Sequence, residues 1–239
     1  MNVSITPAQL AAMIDHTCLK PDAAPGAIEK LCDEAIQWRF GCVMVNPCEV
    51  ANCAARLAGT GVSVGTVIGF PLGQCTLAAM RSEAIDALGN GAGELDFVIN
   101  VRTVRRLASD GAGSLPDAGL SALPDVAAYR GMLSDVLARG RAVTKIIIET
   151  CYLSDDEKVV ACRLAKAAGF DFVKTSTGFG TAGATVHDVA LMRRAVGPDM
   201  GVKAAGGIRD LATALALVEA GANRLGCSAG VAIVSALAR

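Results

Sequence analysis

The feature that most constrains this chain is a regular alternation. Short β-prone runs at residues 13–19, 41–46, 62–70, 94–100, 144–150, 171–176, 201–206 and 223–228 are separated by segments with helical spacing. Parallel strands need a crossover between neighbours, and strands covered by helices carry near-continuous β-branched sequence such as "TKIIIET". Strict alternation therefore implies a parallel α/β sheet. Eight repeats in 239 residues match a single (β/α)8 TIM barrel, for which about 250 residues is typical. An open doubly wound sheet is the alternative, weakened because no G-x-G-x-x-G follows the first strand.

The connecting segments carry recognisable starts and stops. In "LSDDEKVVACRLAKAAG", Ser154 and Glu157 form a capping box, acids fill the first turn, and Gly169 supplies a left-handed terminator. "IRDLATALALVEAG" repeats the plan with Asp210 as N-cap and Gly221 as stop. The exception is "RRLASDGAGSLPDAGLSALPDVAAYRG", between the fourth and fifth strands, which is rich in Gly, Ala, Ser and Pro. It reads as an irregular insertion around 103–125, a surface excursion from one domain spanning 1–239 rather than a substrate lid.

Composition removes several classes of function. Hydrophobic residues make up 52% of the chain, enough for a large core without covalent staples. The nine cysteines are odd in number and scattered through apolar segments, which predicts free thiols in a reducing compartment. Cys42, Cys48 and Cys53 match no zinc spacing, and neither His16 nor His187 lies close to them in sequence, so no metal is expected. A net charge of -1 offers no basic field for nucleic acid or an anionic membrane. The chain lacks a basic leader with a cleavage site and any apolar run of about 18 residues, so it is expected to be soluble and cytoplasmic.

Three charged residues stand where an apolar barrel interior should be. Strand parity puts Glu94, Asp96 and Val98 on one face of "ELDFVIN", Phe172, Lys174 and Ser176 on one face of "DFVKTS", and Gly201, Lys203 and Ala205 on one face of "GVKAA". Inward side chains near the C-terminal strand ends build the active site of such a barrel. The bland alternative is a salt-bridged cluster, or lysines whose stems pack inside while their heads reach the rim. Two lysines on adjacent strands raise each other's cost and push one amine toward neutrality. A neutral amine attacks a carbonyl to form a Schiff base, the electron sink for breaking a carbon–carbon bond, and a neighbouring carboxylate can move protons. Aldol chemistry without metal or cofactor follows; which lysine is the nucleophile does not.

The second constellation is glycine. "STGFG" follows the sixth strand, "AAGGIRD" leads from the seventh into a helix, and "LGCSAG" follows the eighth. Amides in such turns and at helix N-termini bind phosphate, and barrels commonly hold it near strands seven and eight. Ser228 can add a hydroxyl, and Arg209 either approaches the anion or pairs with a helix carboxylate.

Taken together, "IDHTCLKPDA", "VIGFPLG", "GAGELDFVIN", "DFVKTSTGFG", "VKAAGGIR" and "NRLGCSAG" resemble, in order and over nearly the whole chain, the deoxyribose-phosphate aldolases. These are class I aldolases with a (β/α)8 fold. The resemblance implies reversible cleavage of 2-deoxy-D-ribose 5-phosphate to D-glyceraldehyde 3-phosphate and acetaldehyde, in deoxyribonucleoside catabolism. It places the Schiff-base lysine at Lys174, the lysine that perturbs it at Lys203 and the proton-transferring aspartate at Asp96, the three that parity selects. It also implies phosphate binding by Gly178, Gly206, Gly207, Gly226 and Ser228 with Arg209 close by, substrate hydroxyls or a relay water at Asp15 and Lys145, and a homodimer. Rival readings are another Schiff-base lyase on the same barrel and a non-catalytic sugar-phosphate-binding protein.

Three positions depart from the family pattern. Phe179 stands where some members place a basic residue, so backbone amides are expected to hold the phosphate. The chain ends "SALAR" with no tyrosine beyond Tyr152, so the last proton transfer is expected to rest on Asp96 and water, and to be slower. The 103–125 stretch is unlike the compact family connection.

Overall fold

The computed structural model describes residues 5–238, in which eight parallel strands close into a barrel in chain order. They are β1 Ile14–Cys18, β2 Cys42–Val45, β3 Ser63–Ile68, β4 Glu94–Val98, β5 Val143–Ile147, β6 Phe172–Lys174, β7 Gly201–Ala205 and β8 Arg224–Cys227. The closure joins β8 back to β1 through Asp15 opposite Gly226. The (β/α)8 expectation is met. The strands end earlier than the apolar runs, because their C-terminal residues leave the ladder to start helices: Asn100, inside the run 94–100, accepts from the amides of Arg102 and Thr103 and caps the helix Val101–Ser109.

The outward strand faces and the helices make the main core. Val43, Leu95, Phe97, Ile146, Val173, Val202 and Leu225 pack against Leu31, Met80, Val104, Val160, Val189 and Leu217 of the surrounding helices. The helix Asp155–Ala168 has the capping box at Ser154 and Glu157, and Gly169 terminates it at φ 93°. Asp210 caps the helix Leu211–Glu219.

The 103–125 stretch differs from its irregular reading. It is built from the end of the helix Val101–Ser109, a short 3-10 turn Ala112–Ser114, the helix Asp117–Ser121 and the start of the helix Pro124–Leu137. Composition concealed sparse anchors: Val104, Leu107, Ala112 and Leu120 are buried. Arg163, on the helix after β5, donates to the carbonyls of Gly113 (2.9 Å) and Leu115 (2.5 Å) and pairs with Asp117 at 3.0 Å. One guanidinium thus holds the excursion against the barrel wall.

Inside the barrel the apolar part is small: Leu19, Cys42, Met44 and Val67 form a separate cluster with Phe70 against it. On β6 and β7, Phe172 faces Gly201, where a Cβ would lie 2.2 Å from the ring, so only glycine admits that side chain. Val98, Ile147 and Ala205 add apolar side chains at the inner strand ends, and much of the remaining interior is charged.

Candidate active site

Alternation along the strands sends seven charged side chains into one interior: Asp15 from β1, Glu94 and Asp96 from β4, Lys145 from β5, Lys174 from β6, Lys203 from β7 and Arg224 from β8. Register makes Lys174 the neighbour of Lys203, and Asp96 the neighbour of Lys145. Asp96 is the hub. Its Oδ2 accepts from Lys174 and from Lys203, each at 2.7 Å, and its Oδ1 from Lys145 at 2.8 Å. Asp15 pairs with Lys203 and, at 2.9 Å, with Arg224; Glu94 pairs with Lys145 at 2.6 Å and with Arg224 at 2.5 Å.

These ion pairs are almost wholly removed from water, so their protonation is decided inside the cluster. Burial tends to raise the Asp96 carboxyl, but Lys145, Lys174 and Lys203 together hold it well below the usual carboxylate range. Lys145 and Lys203 are destabilised by burial yet raised above an ordinary lysine, Lys145 chiefly by Asp96 and Asp15, Lys203 chiefly by Asp15 and Asp96. Lys174 goes the other way. Burial lowers it most, Asp96 opposes, Lys203 and Lys145 push it down further, and its pKa is lowered to about 8. The second lysine therefore contributes as sequence reasoning expected, but removal from water is the larger cause.

Above this cluster opens a cleft of about 580 Å³, within the range of small-molecule sites. Lys174 forms part of its floor, and its walls include Gly178, Gly206, Gly207, Arg209, Gly226 and Ser228, so the sequence-predicted glycines, arginine and serine meet at one site. Gly178, Gly207, Arg209 and Ser228 are exposed. Arg209 has no ion pair among the described residues, which removes the helix-carboxylate alternative there. The helix Gly230–Leu237 starts just past Ser228, with its first amides free of intrahelical partners.

Three expectations change. Asp15 and Lys145 do not line the cleft; both are wholly buried and pair with the other charges. Gly226 is buried on the inner face of β8, where a Cβ would lie 3.1 Å from Lys203 Cε and from Ala205 Cβ, so its first service is room for that lysine. In the strand-six turn the amides of Thr177 and Phe179 are already committed, Thr177 to the Glu149 carboxylate at 3.2 Å and Phe179 to the Thr177 hydroxyl at 3.0 Å. Phe179 itself lines the cleft, 49% exposed, with its ring edge-on to Phe70 at 5.2 Å. Tyr152 lies outside the cleft lining, its carbonyl bound by Arg105.

Sequence reasoning left out Glu94, Arg224 and Glu149. Parity had put Glu94 on the inward face, and the same alternation applied to "NRLGCS" signals Arg224. Glu149 gave no signal, since it lies past the end of β5 in a left-handed conformation at φ 54°.

A closed parallel barrel whose cleft floor carries a buried lysine amine near neutrality is the arrangement of a Schiff-base lyase. The sequence profile described as "DeoC/LacD family aldolase" matches residues 10–236, and the chain belongs to that family. It is 53% identical over 228 residues to a deoxyribose-phosphate aldolase of Bacteroides thetaiotaomicron, covering 95% of this chain and 90% of the relative. It is 51% identical over 227 residues to one of Enterococcus faecalis, covering 95% and 96%. Among solved structures, a deoxyribose phosphate aldolase of Aeropyrum pernix, described as tetrameric, superposes with a TM-score of 0.83 at 32% identity, over 98% of this chain and 92% of that one. No described helix is long and apolar enough to cross a membrane.

Proposed function

We propose that the cleft cleaves 2-deoxy-D-ribose 5-phosphate reversibly to D-glyceraldehyde 3-phosphate and acetaldehyde, with Lys174 as the Schiff-base nucleophile. The observation that carries the reading is the Lys174 amine, lowered to about 8 and set in the floor of a cleft whose walls hold Gly206, Gly207, Arg209 and Ser228. The neutral amine attacks C1 of the open-chain sugar, and loss of water gives the protonated imine. Asp96, through a bound water, accepts the C3 hydroxyl proton. The C2–C3 bonding pair flows into the imine, leaving an enamine on Lys174 and releasing the aldehyde formed at C3. The enamine takes a proton back at C2, and water hydrolyses the resulting imine to acetaldehyde and free amine.

Asp96 is held in its ionised form, so it is ready to accept that proton through the water and to return it at C2, with the Lys203 ammonium on the same oxygen. Lys203 supplies fixed positive charge beside Lys174. The phosphate lies against the loops after β7 and β8, beside the first amides of the helix Gly230–Leu237 and within reach of Arg209. Gly178 borders the same end. Asp15 and Lys145 act below the floor on the lysines. The reading extends to a cytoplasmic homodimer in deoxyribonucleoside catabolism, acting on a small phosphorylated sugar and not on nucleic acid.

The test is substrate comparison. Acetaldehyde release from deoxyribose 5-phosphate should exceed cleavage of ribulose-type and fructose-type phosphates by orders of magnitude. Preference for either of the latter would assign the barrel to another Schiff-base reaction.

A further inference from the structure

The interior holds more cations than anions, and the excess is set from beneath the floor. Strand by strand, the ionisable groups that share the barrel interior with Lys174 are Asp15 from β1, Cys42 from β2, Glu94 and Asp96 from β4, Lys145 from β5, Lys203 from β7 and Arg224 from β8; β3 contributes Gly65 and Val67. Above the floor, Glu149 is tied to Thr177, while Lys20, Asp22 and Arg209 line the open cleft, where solvent screens them, and burial raises the thiols of Cys18 and Cys227 beside it. Burial pushes the Cys42 thiol far up, so it stays neutral. The ion-paired interior therefore sets three carboxylates against four cations.

Three lysines alone would balance three carboxylates. Arg224 is the fourth cation and the one that cannot discharge by losing a proton. Its side chain is 17% exposed and grips Glu94 at 2.5 Å and Asp15 at 2.9 Å. The excess must then leave from a lysine. Lys145 meets three carboxylates within 4 Å and Lys203 two, whereas Lys174 meets Asp96 alone.

We propose that Arg224 and Glu94 are positioning residues that set the charge of the barrel interior, Arg224 driving the Lys174 amine toward its neutral form and Glu94 opposing it. Neither lines the cleft, so both act through Asp15, Lys145 and Lys203. The inference rests on Lys174 as nucleophile and adds an arithmetic of signs. Removing Arg224 leaves three lysines for three carboxylates, and Lys174 keeps its proton. Removing the charge of Glu94 enlarges the excess, and Lys174 gives its proton up sooner.

The experiment is imine trapping by acetaldehyde and borohydride across neutral and alkaline pH, with the adduct mapped by peptide mass, on the whole protein and on Arg224→Met, Arg224→Lys and Glu94→Gln. The midpoint of imine formation should rise by about one pH unit in Arg224→Met, fall in Glu94→Gln and lie between the parent and Arg224→Met in Arg224→Lys, whose ammonium keeps the charge but can itself lose a proton, with Lys174 labelled throughout. A merely structural role would move stability or rate in one direction and leave the midpoints together. Unmoved midpoints with label still on Lys174 overturn the inference and spare the nucleophile; label elsewhere overturns both. Should Arg224→Met not fold, the near-isosteric Glu94→Gln carries the test, and a midpoint that fails to fall decides against it.

Discussion

Lys174 and Lys203 donate to one and the same oxygen of Asp96, each across 2.7 Å, so the two nitrogens can be no further apart than twice that distance. Two buried cations at such range cannot both be comfortable, and the one bordering the cleft, with a single carboxylate for company, is the one that yields.

Replacing Lys174 by Met should abolish cleavage and yet leave the fold as stable as before or more so, since it removes a buried excess charge. Asp96→Asn, by contrast, removes the hub between three lysines and is expected to cost about 3–5 kcal/mol. Urea unfolding of both variants decides the matter; a Met variant as unstable as the Asn variant contradicts the charge count.

Imine formation should be pH-dependent with a definite sign. With the Lys174 pKa lowered to about 8, the rate climbs about tenfold per pH unit below that value and levels off above it. Because the unfolded lysine still holds its proton between about 8 and 10.5, this group makes stability rise with pH across that window. Stopped-flow measurement of imine formation and melting over the same pH series check the two halves, and a rate flat down to neutral pH contradicts the first.

Gly226→Ala separates two roles for one glycine. If its service is space for Lys203, the added methyl at 3.1 Å displaces the lysine stem, and kcat falls at least tenfold while KM for the phosphorylated sugar changes little. A rise in KM with kcat preserved would return Gly226 to phosphate binding.

Phe179→Lys probes the apolar residue at the cleft wall. Its amide is engaged with Thr177 and its ring leans on Phe70, so this position contributes no charge to the phosphate end. A lysine there should lower KM for deoxyribose 5-phosphate about three- to tenfold and leave that for unphosphorylated deoxyribose unchanged. Equal changes for both sugars would show that the ring acts on the sugar body.

The barrel was legible because alternation and β-branched runs are local signals, and strand parity alone brought Asp96, Lys174 and Lys203 to one interior. What the sequence withheld depended on register and on partners far along the chain. Asp15 and Lys145 read as pocket residues through the family resemblance, and only the structure shows that they sit below the floor, paired. The 103–125 segment looked irregular because its order comes from Arg163, a residue of a later helix. The strand-six turn looked like a phosphate cradle because nothing in "STGFG" reveals that Glu149 already occupies one of its amides.

The most direct test of the account is the site of a borohydride-trapped acetaldehyde adduct. Incubation of the protein with acetaldehyde and borohydride, followed by proteolysis and peptide mass mapping, should place one ethyl group on Lys174 and none on Lys145 or Lys203. An adduct on Lys203, or no adduct under conditions where the enzyme turns over, would contradict the assignment of the nucleophile.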